Sequence, residues 1–164
     1  MSPLRSVREF VIPDSVLGPT LETLAKAGRD EHEAFAVWGA TVSPDGTQAT
    51  FRTVLIPEQT PHTTADGLLV AVDGLALFNI NKQLYESGQI LAGQVHTHPT
   101  DAYHSDTDDH FPLVTLQGAL SLVIPDFAAD GYDSIKRWAW YRLLSHGHWA
   151  QLTAADRIVL DKTA

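Results

Sequence analysis

The segment QILAGQVHTHP, residues 89–99, constrains the fold more than any other part of the chain. Its apolar, β-forming run predicts a buried strand over residues 89–98. Side chains two residues apart on a strand point to the same face, so His96 and His98 can reach one ion. Pro99 has no amide hydrogen and takes the chain out of the sheet directly after the second histidine. The pattern predicts a candidate metal site at the C-terminal end of a buried strand.

Segments with helical and with strand periodicity alternate along the rest of the chain. Pro13-Asp14-Ser15 favours a helix start, and Gly28 is placed to end that helix. A second helix is predicted over about residues 66–87, with Gly88 at its end. Further predicted elements are a polar loop at 58–67, a short helix within 110–118, and strands at 33–43, 49–57, 118–127, 137–144 and 147–153. This order predicts a single mixed α/β domain.

Composition narrows the class of protein. A chain of 164 residues is long enough for one domain with its own core, and we expect one domain over residues 1–164. Because cysteine is absent, disulfides are excluded and a zinc ion would need histidine and carboxylate ligands. A formal net charge of −9 argues against a nucleic-acid partner. No stretch approaches the roughly 20 apolar residues of a membrane span. The N-terminus has no secretory pattern, so a cytoplasmic protein without a membrane partner is expected.

Hydroxyl and carboxylate side chains crowd the segment after Pro99. Ser105 and Asp108 lie in the run SDTD, which is typical of a helix N-terminus and would direct Asp108 back toward the strand end. Two histidines, one aspartate and a water molecule make up the ligand set of a catalytic zinc site. Such a site also needs a general base. The candidates are Glu33, at the start of the first predicted strand, and the local acids Asp101, Asp106 and Asp109.

Glu33, the motif His96-Thr97-His98-Pro99 and the motif Ser105-x-x-Asp108 together resemble the signature of the JAMM (JAB/MPN) zinc metalloproteases. The resemblance implies one Zn²⁺ ion with a bound water, held by His96, His98 and Asp108. It implies that Glu33 is the general base and acid, and that Ser105 stabilises the oxyanion of the tetrahedral intermediate. It also implies a curved mixed β-sheet flanked by helices, with a core over about residues 10–152.

Two of these assignments have competitors. In many eukaryotic members the interval from the second histidine to the aspartate is one residue longer, which would select Asp109 as the ligand and put Asp106 in the place of the serine. We prefer Asp108 because it keeps Ser-x-x-Asp intact, and because a surface connection tolerates a one-residue deletion. For the general base, the competitors of Glu33 are Glu22 and Glu31.

The sequence looks most like the stand-alone bacterial members of this family, which accompany ubiquitin-like, activating and conjugating proteins, some of them in antiviral pathways. The resemblance implies an isopeptidase or peptidase that cleaves after the C-terminus of a ubiquitin-like protein, in deconjugation or precursor processing. An extended C-terminal tail can bind along a groove as an added strand. The alternatives are a metallopeptidase acting on a sulfur-carrier protein or a cell-wall peptide, and a metal-free MPN scaffold module.

Overall fold

The computed structural model describes residues 1–64, 67–103 and 113–163. Its strands are β1 (Glu9–Pro13), β2 (Phe35–Val42), β3 (Gln48–Leu55), β4 (Gln59–Thr64), β5 (Gly67–Val72), β6 (Ile90–Thr97), β7 (Leu120–Ile124), β8 (Ala139–Leu143), β9 (Trp149–Gln151) and β10 (Arg157–Asp161). Its helices are α1 (Asp14–Gly28) and α2 (Gly74–Glu86), and short 3₁₀ turns cover Asp126–Ala128, Gly131–Arg137 and Ser145–Gly147.

One mixed sheet contains eight of these strands, in the order β10-β1-β3-β2-β6-β7-β8-β9. The pairs β1–β10, β1–β3 and β6–β7 are parallel. The remaining neighbours in this sheet are antiparallel, and β4 and β5 form a separate two-stranded sheet. A mixed sheet flanked by helices confirms the predicted mixed α/β fold class, and the predicted buried strand with the histidines is β6, in the middle of the sheet.

Helix α1 packs on the sheet through a stripe of buried side chains at helical spacing, Val16, Leu17, Thr20, Leu21 and Leu24. The hydroxyl of Thr20 accepts a hydrogen bond from the indole of Trp38 at 2.9 Å and donates to the carbonyl of Val16 at 2.7 Å. Trp38 is a fully buried residue of β2. The bond therefore fixes the helix against the strand that neighbours β6.

Helix α2 lies against the sheet at Gly39 of β2. A Cβ atom at Gly39 would come within 2.4 Å of Leu84 Cδ2, so glycine leaves room for this buried leucine of the helix. Asp73 caps the helix by accepting the N–H of Leu75 at 2.9 Å. Gly88 follows the helix with a φ of 72°, the left-handed conformation in which glycine was predicted to end it. Within the described part of the chain, no helix has the length and apolar character to cross a membrane.

Three local predictions are wrong. Residues 66–87 do not form one helix, because the β-forming run LLVAV pairs with β4 as strand β5 and the helix begins only after Asp73. The predicted polar loop at 58–67 is largely strand β4. Residues 113–118, the described part of the short helix predicted within 110–118, are not helical. Strands β1 and β10 were not predicted, since their parallel pairing joins opposite ends of the chain.

Candidate metal centre

His96 lies in β6, where its ring is covered by Phe35 of the neighbouring strand. The two residues are direct partners of the antiparallel β2–β6 pair, and their ring centroids are 4.8 Å apart. The N–H of Phe35 donates to the side-chain oxygen of Gln59 at 2.7 Å, and its C=O accepts from the Gln59 amide nitrogen at 2.9 Å. Phe35 and His96 are thus a non-hydrogen-bonded pair, in which opposite side chains lie closest. This packing holds the imidazole of His96, which is only 2% exposed.

His98 follows β6 directly, and both of its backbone groups are hydrogen-bonded. Its N–H donates to the carbonyl of Ile124 at 3.0 Å, and its C=O accepts the N–H of Phe127 at 2.8 Å. The ring of Tyr103 meets the imidazole edge to face, with centroids 4.5 Å apart and an interplanar angle of 85°. His98 is 5% exposed. Its backbone and its ring are therefore held although it lies beyond the end of the strand.

The two imidazoles lie close enough together to bind one metal ion. Their ring centroids are 5.2 Å apart and their planes make an angle of 51°. Zinc–nitrogen bonds of about 2.0–2.1 Å at a tetrahedral angle place the centroids of two imidazole ligands about 5 Å apart. The observed distance and the nitrogen donors fit zinc. No three His, Asp or Glu side chains within residues 1–64, 67–103 and 113–163 form a group that could hold a metal ion.

Glu33, the predicted general base, lies beside the histidine strand. The N–H of Thr97 donates to the carbonyl of Ala34 at 3.3 Å, and the N–H of Ala34 donates to the Thr97 hydroxyl at 3.2 Å. Continuing the antiparallel register of β2 and β6 by two residues places Glu33 opposite His98 and on the same face. The side chain of Glu33 is half-buried. The arrangement can therefore bring a carboxylate to the edge of the two-histidine site.

The competing acids occupy other places. Glu22 is exposed on α1, and Glu31 is exposed in the turn that follows the helix, with a φ of 56°. Asp101 is 89% exposed and lies 3.3 Å from a guanidinium nitrogen of Arg137. Among the described acids considered for the base, Glu33 is the one that the strand register aligns with His98.

Asp108 and Ser105, the predicted third ligand and oxyanion residue, lie outside the described residues, as do their competitors Asp109 and Asp106. The described chain resumes at Leu113, next to β6. The side-chain oxygen of Gln94 accepts the N–H groups of Leu113 and Val114 at 3.1 and 3.2 Å. Gln94 is 1% exposed and, two residues before His96, shares the face of the histidines. The connection that carries the predicted ligand thus begins after His98, and the residues at its far end are hydrogen-bonded to Gln94 of β6.

The sequence analysis predicted a strand over residues 118–127 and missed the specific turn that follows β7. Asp126, Phe127 and Ala128 have φ values of 52°, 53° and 60°. The N–H of Asp126 donates to the carbonyl of Thr100 at 3.0 Å, in addition to the bond from Phe127 to His98. Three successive left-handed residues without a glycine have no sequence signature, although aspartate tolerates this conformation better than most residues.

A mixed sheet with two buried imidazoles at the end of a strand, and a glutamate at the start of the neighbouring strand, defines a candidate metal-dependent hydrolase. Comparison with known proteins agrees with this class. The chain is 37% identical, over 155 residues and 94% of each chain, to the protein of Sinorhizobium fredii named "Probable metalloprotease y4jG". The chain belongs to the family of that probable metalloprotease. No protein-family profile matches it.

A solved structure shows the same fold. The solution structure of a protein from Salinibacter ruber superposes with a TM-score of 0.58 and covers 93% of both chains. The sequence identity is 18%, so this similarity concerns the fold alone.

Proposed function

We propose that this chain is a JAMM-type zinc peptidase that cleaves the amide or isopeptide bond at the C-terminus of a ubiquitin-like protein. The observation that carries the proposal is the pair of buried imidazoles of His96, in β6, and His98, directly after it, with ring centroids 5.2 Å apart. Membership in the family of a probable metalloprotease supports the peptidase activity. The motifs of the JAMM signature support the type of site.

His96, His98 and Asp108 are the residues that would hold the zinc ion. Bound zinc lowers the pKa of its water to about 7 and polarises a carbonyl group. The aromatic rings of Phe35 and Tyr103 lie against the two imidazoles and limit their rotation. Ligands held in this way lose little conformational freedom on binding, which favours metal affinity.

The remaining chemistry falls to Glu33 and Ser105. Glu33 accepts a proton from the attacking water and delivers it to the leaving nitrogen, so that the amine departs neutral. The register of β2 and β6, continued by two residues, aligns Glu33 with His98, and this supports the assignment because a carboxylate at that position would serve as a base without being one of the ligands. The hydroxyl of Ser105 donates a hydrogen bond to the oxyanion that forms as the substrate carbonyl becomes tetrahedral.

The β4–β5 hairpin offers a binding edge for the substrate tail. Within the described residues the hairpin forms its own two-stranded sheet. Its first residue, Gln59, is bonded to Phe35 beside His96, so the hairpin begins next to the candidate metal centre. An extended peptide can pair with such an edge through main-chain hydrogen bonds. A ubiquitin-like C-terminus that ends in an extended tail is a substrate of this kind.

Zinc content and cleavage test the proposal together. Purified protein should bind one zinc ion per chain and cleave a fusion at a ubiquitin-like C-terminus, and a chelator should abolish cleavage. His96→Ala and His98→Ala should each lose zinc and activity. His148→Ala is the matched control, because His148 is exposed before β9 and should behave as wild type. Absence of both stoichiometric zinc and cleavage would make the chain a metal-free scaffold instead, whereas activity that survives His96→Ala would place catalysis at another site.

The third ligand can be assigned by metal content. Asp108→Ala should weaken zinc binding strongly, whereas Asp109→Ala should keep it. The opposite result would move the ligand to Asp109 and remove Ser105 from the oxyanion position.

A further inference from the structure

The turn Asp126–Ala128 is bonded to the chain on both sides of Pro99. His98 is enclosed between Ile124, which accepts its N–H, and Phe127, which donates to its C=O. Beyond the proline, the carbonyl of Thr100 accepts the N–H of Asp126. The path of the chain as it leaves the histidine strand is therefore determined by the end of β7 and by this turn.

The turn adopts a backbone that is unfavourable for its residues. All three members of Asp126–Ala128 lie in the left-handed region, and none is glycine. This conformation costs free energy for residues with a Cβ atom, and it persists only where the surroundings determine it. Strain of this kind is found preferentially at functional sites. The hydrogen bond from the turn to His98 therefore indicates that the turn is part of the site.

Arg137 holds the turn and the chain after Pro99 together. One guanidinium nitrogen donates to Asp126 Oδ2 at 2.5 Å, and the other donates to Asp101 Oδ1 at 3.3 Å. The carboxylate of Asp126, and secondarily that of Asp101, raises the pKa of the Arg137 guanidinium above its usual value. One cation thus bridges the strained turn and the segment that begins at His98.

We infer that Arg137 and the turn Asp126–Ala128 position His98 for metal binding, an inference that rests on the proposed function. The bonds to the His98 and Thr100 carbonyls hold the backbone that carries the imidazole of His98. Arg137 is a positioning residue, because it acts through Asp126 and Asp101. Partners that orient metal ligands contribute to metal affinity without touching the ion.

A double-mutant cycle on the full chain tests this role. Asp126→Asn should weaken zinc affinity by about fivefold, as expected for the loss of one ion pair, and Arg137→Ala by at least as much, because it also removes the contact with Asp101. Asparagine tolerates the left-handed conformation, so Asp126→Asn removes the charge and spares the backbone. The double variant should lose no more than Arg137→Ala alone, because the interaction between Arg137 and Asp126 is already absent in that variant. Arg137→Lys should recover part of the affinity.

Two further measurements separate positioning from general stabilisation. The visible spectrum of the cobalt-substituted protein should change in Arg137→Ala, while thermal unfolding of the metal-free protein stays near that of wild type. Arg157→Ala is the control, because Arg157 is an exposed arginine of β10 paired with Glu9 at 3.4 Å. It should leave zinc affinity and the cobalt spectrum unchanged.

The outcomes that overturn the inference are distinct from those that overturn the proposed function. Wild-type protein that binds zinc, with Arg137→Ala and Asp126→Asn equal to it in affinity and cobalt spectrum, would refute the positioning role alone. The role is also refuted if affinity falls only in step with the stability of the metal-free protein. Wild-type protein that binds no zinc would overturn the proposed function and this inference together.

Discussion

The hydroxyl of Thr97 accepts the backbone N–H of Ala34 at 3.2 Å, and the N–H of Thr97 donates to the carbonyl of Ala34 at 3.3 Å. Thr97 separates the two candidate ligands, and Ala34 follows the candidate base Glu33. Both Thr97 and Ala34 are buried. Thr97 therefore links the segment that carries the candidate base to β6, which carries the first candidate ligand.

Thr97→Val should remove the side-chain hydrogen bond between Thr97 and Ala34 while keeping the shape of the side chain. The N–H of Ala34 would lose its acceptor in a buried place, at a cost of about 1–3 kcal/mol in the free energy of unfolding. The turnover number should fall further than zinc affinity does, because Glu33 is displaced and the histidines are not. Denaturant unfolding, zinc titration and cleavage kinetics measure the three effects. Thr97→Ser keeps the hydroxyl and should resemble wild type; equal losses in both variants would assign the effect to packing.

Glu33→Gln should keep zinc and remove most of the cleavage activity. The amide has nearly the shape of the carboxylate but does not accept a proton, and general acid–base catalysis is worth roughly 10²–10⁴-fold in rate. Zinc stoichiometry and single-turnover cleavage are the measurements. Glu22→Gln and Glu31→Gln are matched controls, since both residues are exposed acids of the same region. If Glu33→Gln cleaves at the wild-type rate, the base lies elsewhere, and Asp101→Asn becomes the next variant to measure.

The parts of the site that could be predicted depend on short-range rules. The period of two along a strand predicts that His96 and His98 lie near each other, and their ring centroids are 5.2 Å apart. The turn Pro44-Asp45-Gly46 predicts a hairpin, and β2 and β3 form it. In each case the interacting residues are close in sequence, so local chemistry determines the outcome.

The missed features depend on partners distant in sequence. Residues 66–87 contain apolar positions that fit a helix, and only pairing with β4 makes the first part a strand. Helix α1 ends at Gly28 as predicted, although Gly28 has no positive φ and Arg29 after it is right-handed. The backbone of Gly28 lies so close to Phe127 that a Cβ atom would not fit, and no local pattern indicates this approach. The role of Gln94 is also not indicated by any local pattern, because its hydrogen-bond partners Leu113 and Val114 lie at the far end of the connection that follows β6.

Gln94→Met should remove the hydrogen bonds that attach Leu113 and Val114 to β6. Methionine fills a similar volume but offers only a weak acceptor, so the N–H groups of Leu113 and Val114 would lose their partner. We expect a loss of about 1–3 kcal/mol in the free energy of unfolding. Zinc affinity should also fall, because the predicted ligand Asp108 lies on this connection. Gln151→Met, at an exposed position of β9, is the control. Unchanged zinc affinity in a destabilised Gln94→Met would limit Gln94 to a structural role.

Gly28→Ala should destabilise the protein although alanine favours helices. A Cβ atom at Gly28 would lie 2.4 Å from Phe127 Cβ and 2.5 Å from the Phe127 carbonyl oxygen, so the strained turn must move. Overpacking of this kind costs about 1–3 kcal/mol, more than the gain of up to about 1 kcal/mol from helix propensity. Phe127 also donates to the His98 carbonyl, and zinc affinity should therefore fall as well.

Gly18→Ala provides the matched control for this prediction, because Gly18 lies in the same helix. A Cβ atom there would meet only the Asp14 side chain, with its nearest atom at 3.7 Å, which is ordinary contact. This variant should gain about 0.5–1 kcal/mol in the free energy of unfolding from helix propensity alone, with unchanged zinc affinity. Denaturant unfolding of the metal-free proteins and zinc titration measure both quantities. If Gly28→Ala is as stable as Gly18→Ala, the prediction is wrong. Helix α1 would then not hold the turn Asp126–Ala128 in place.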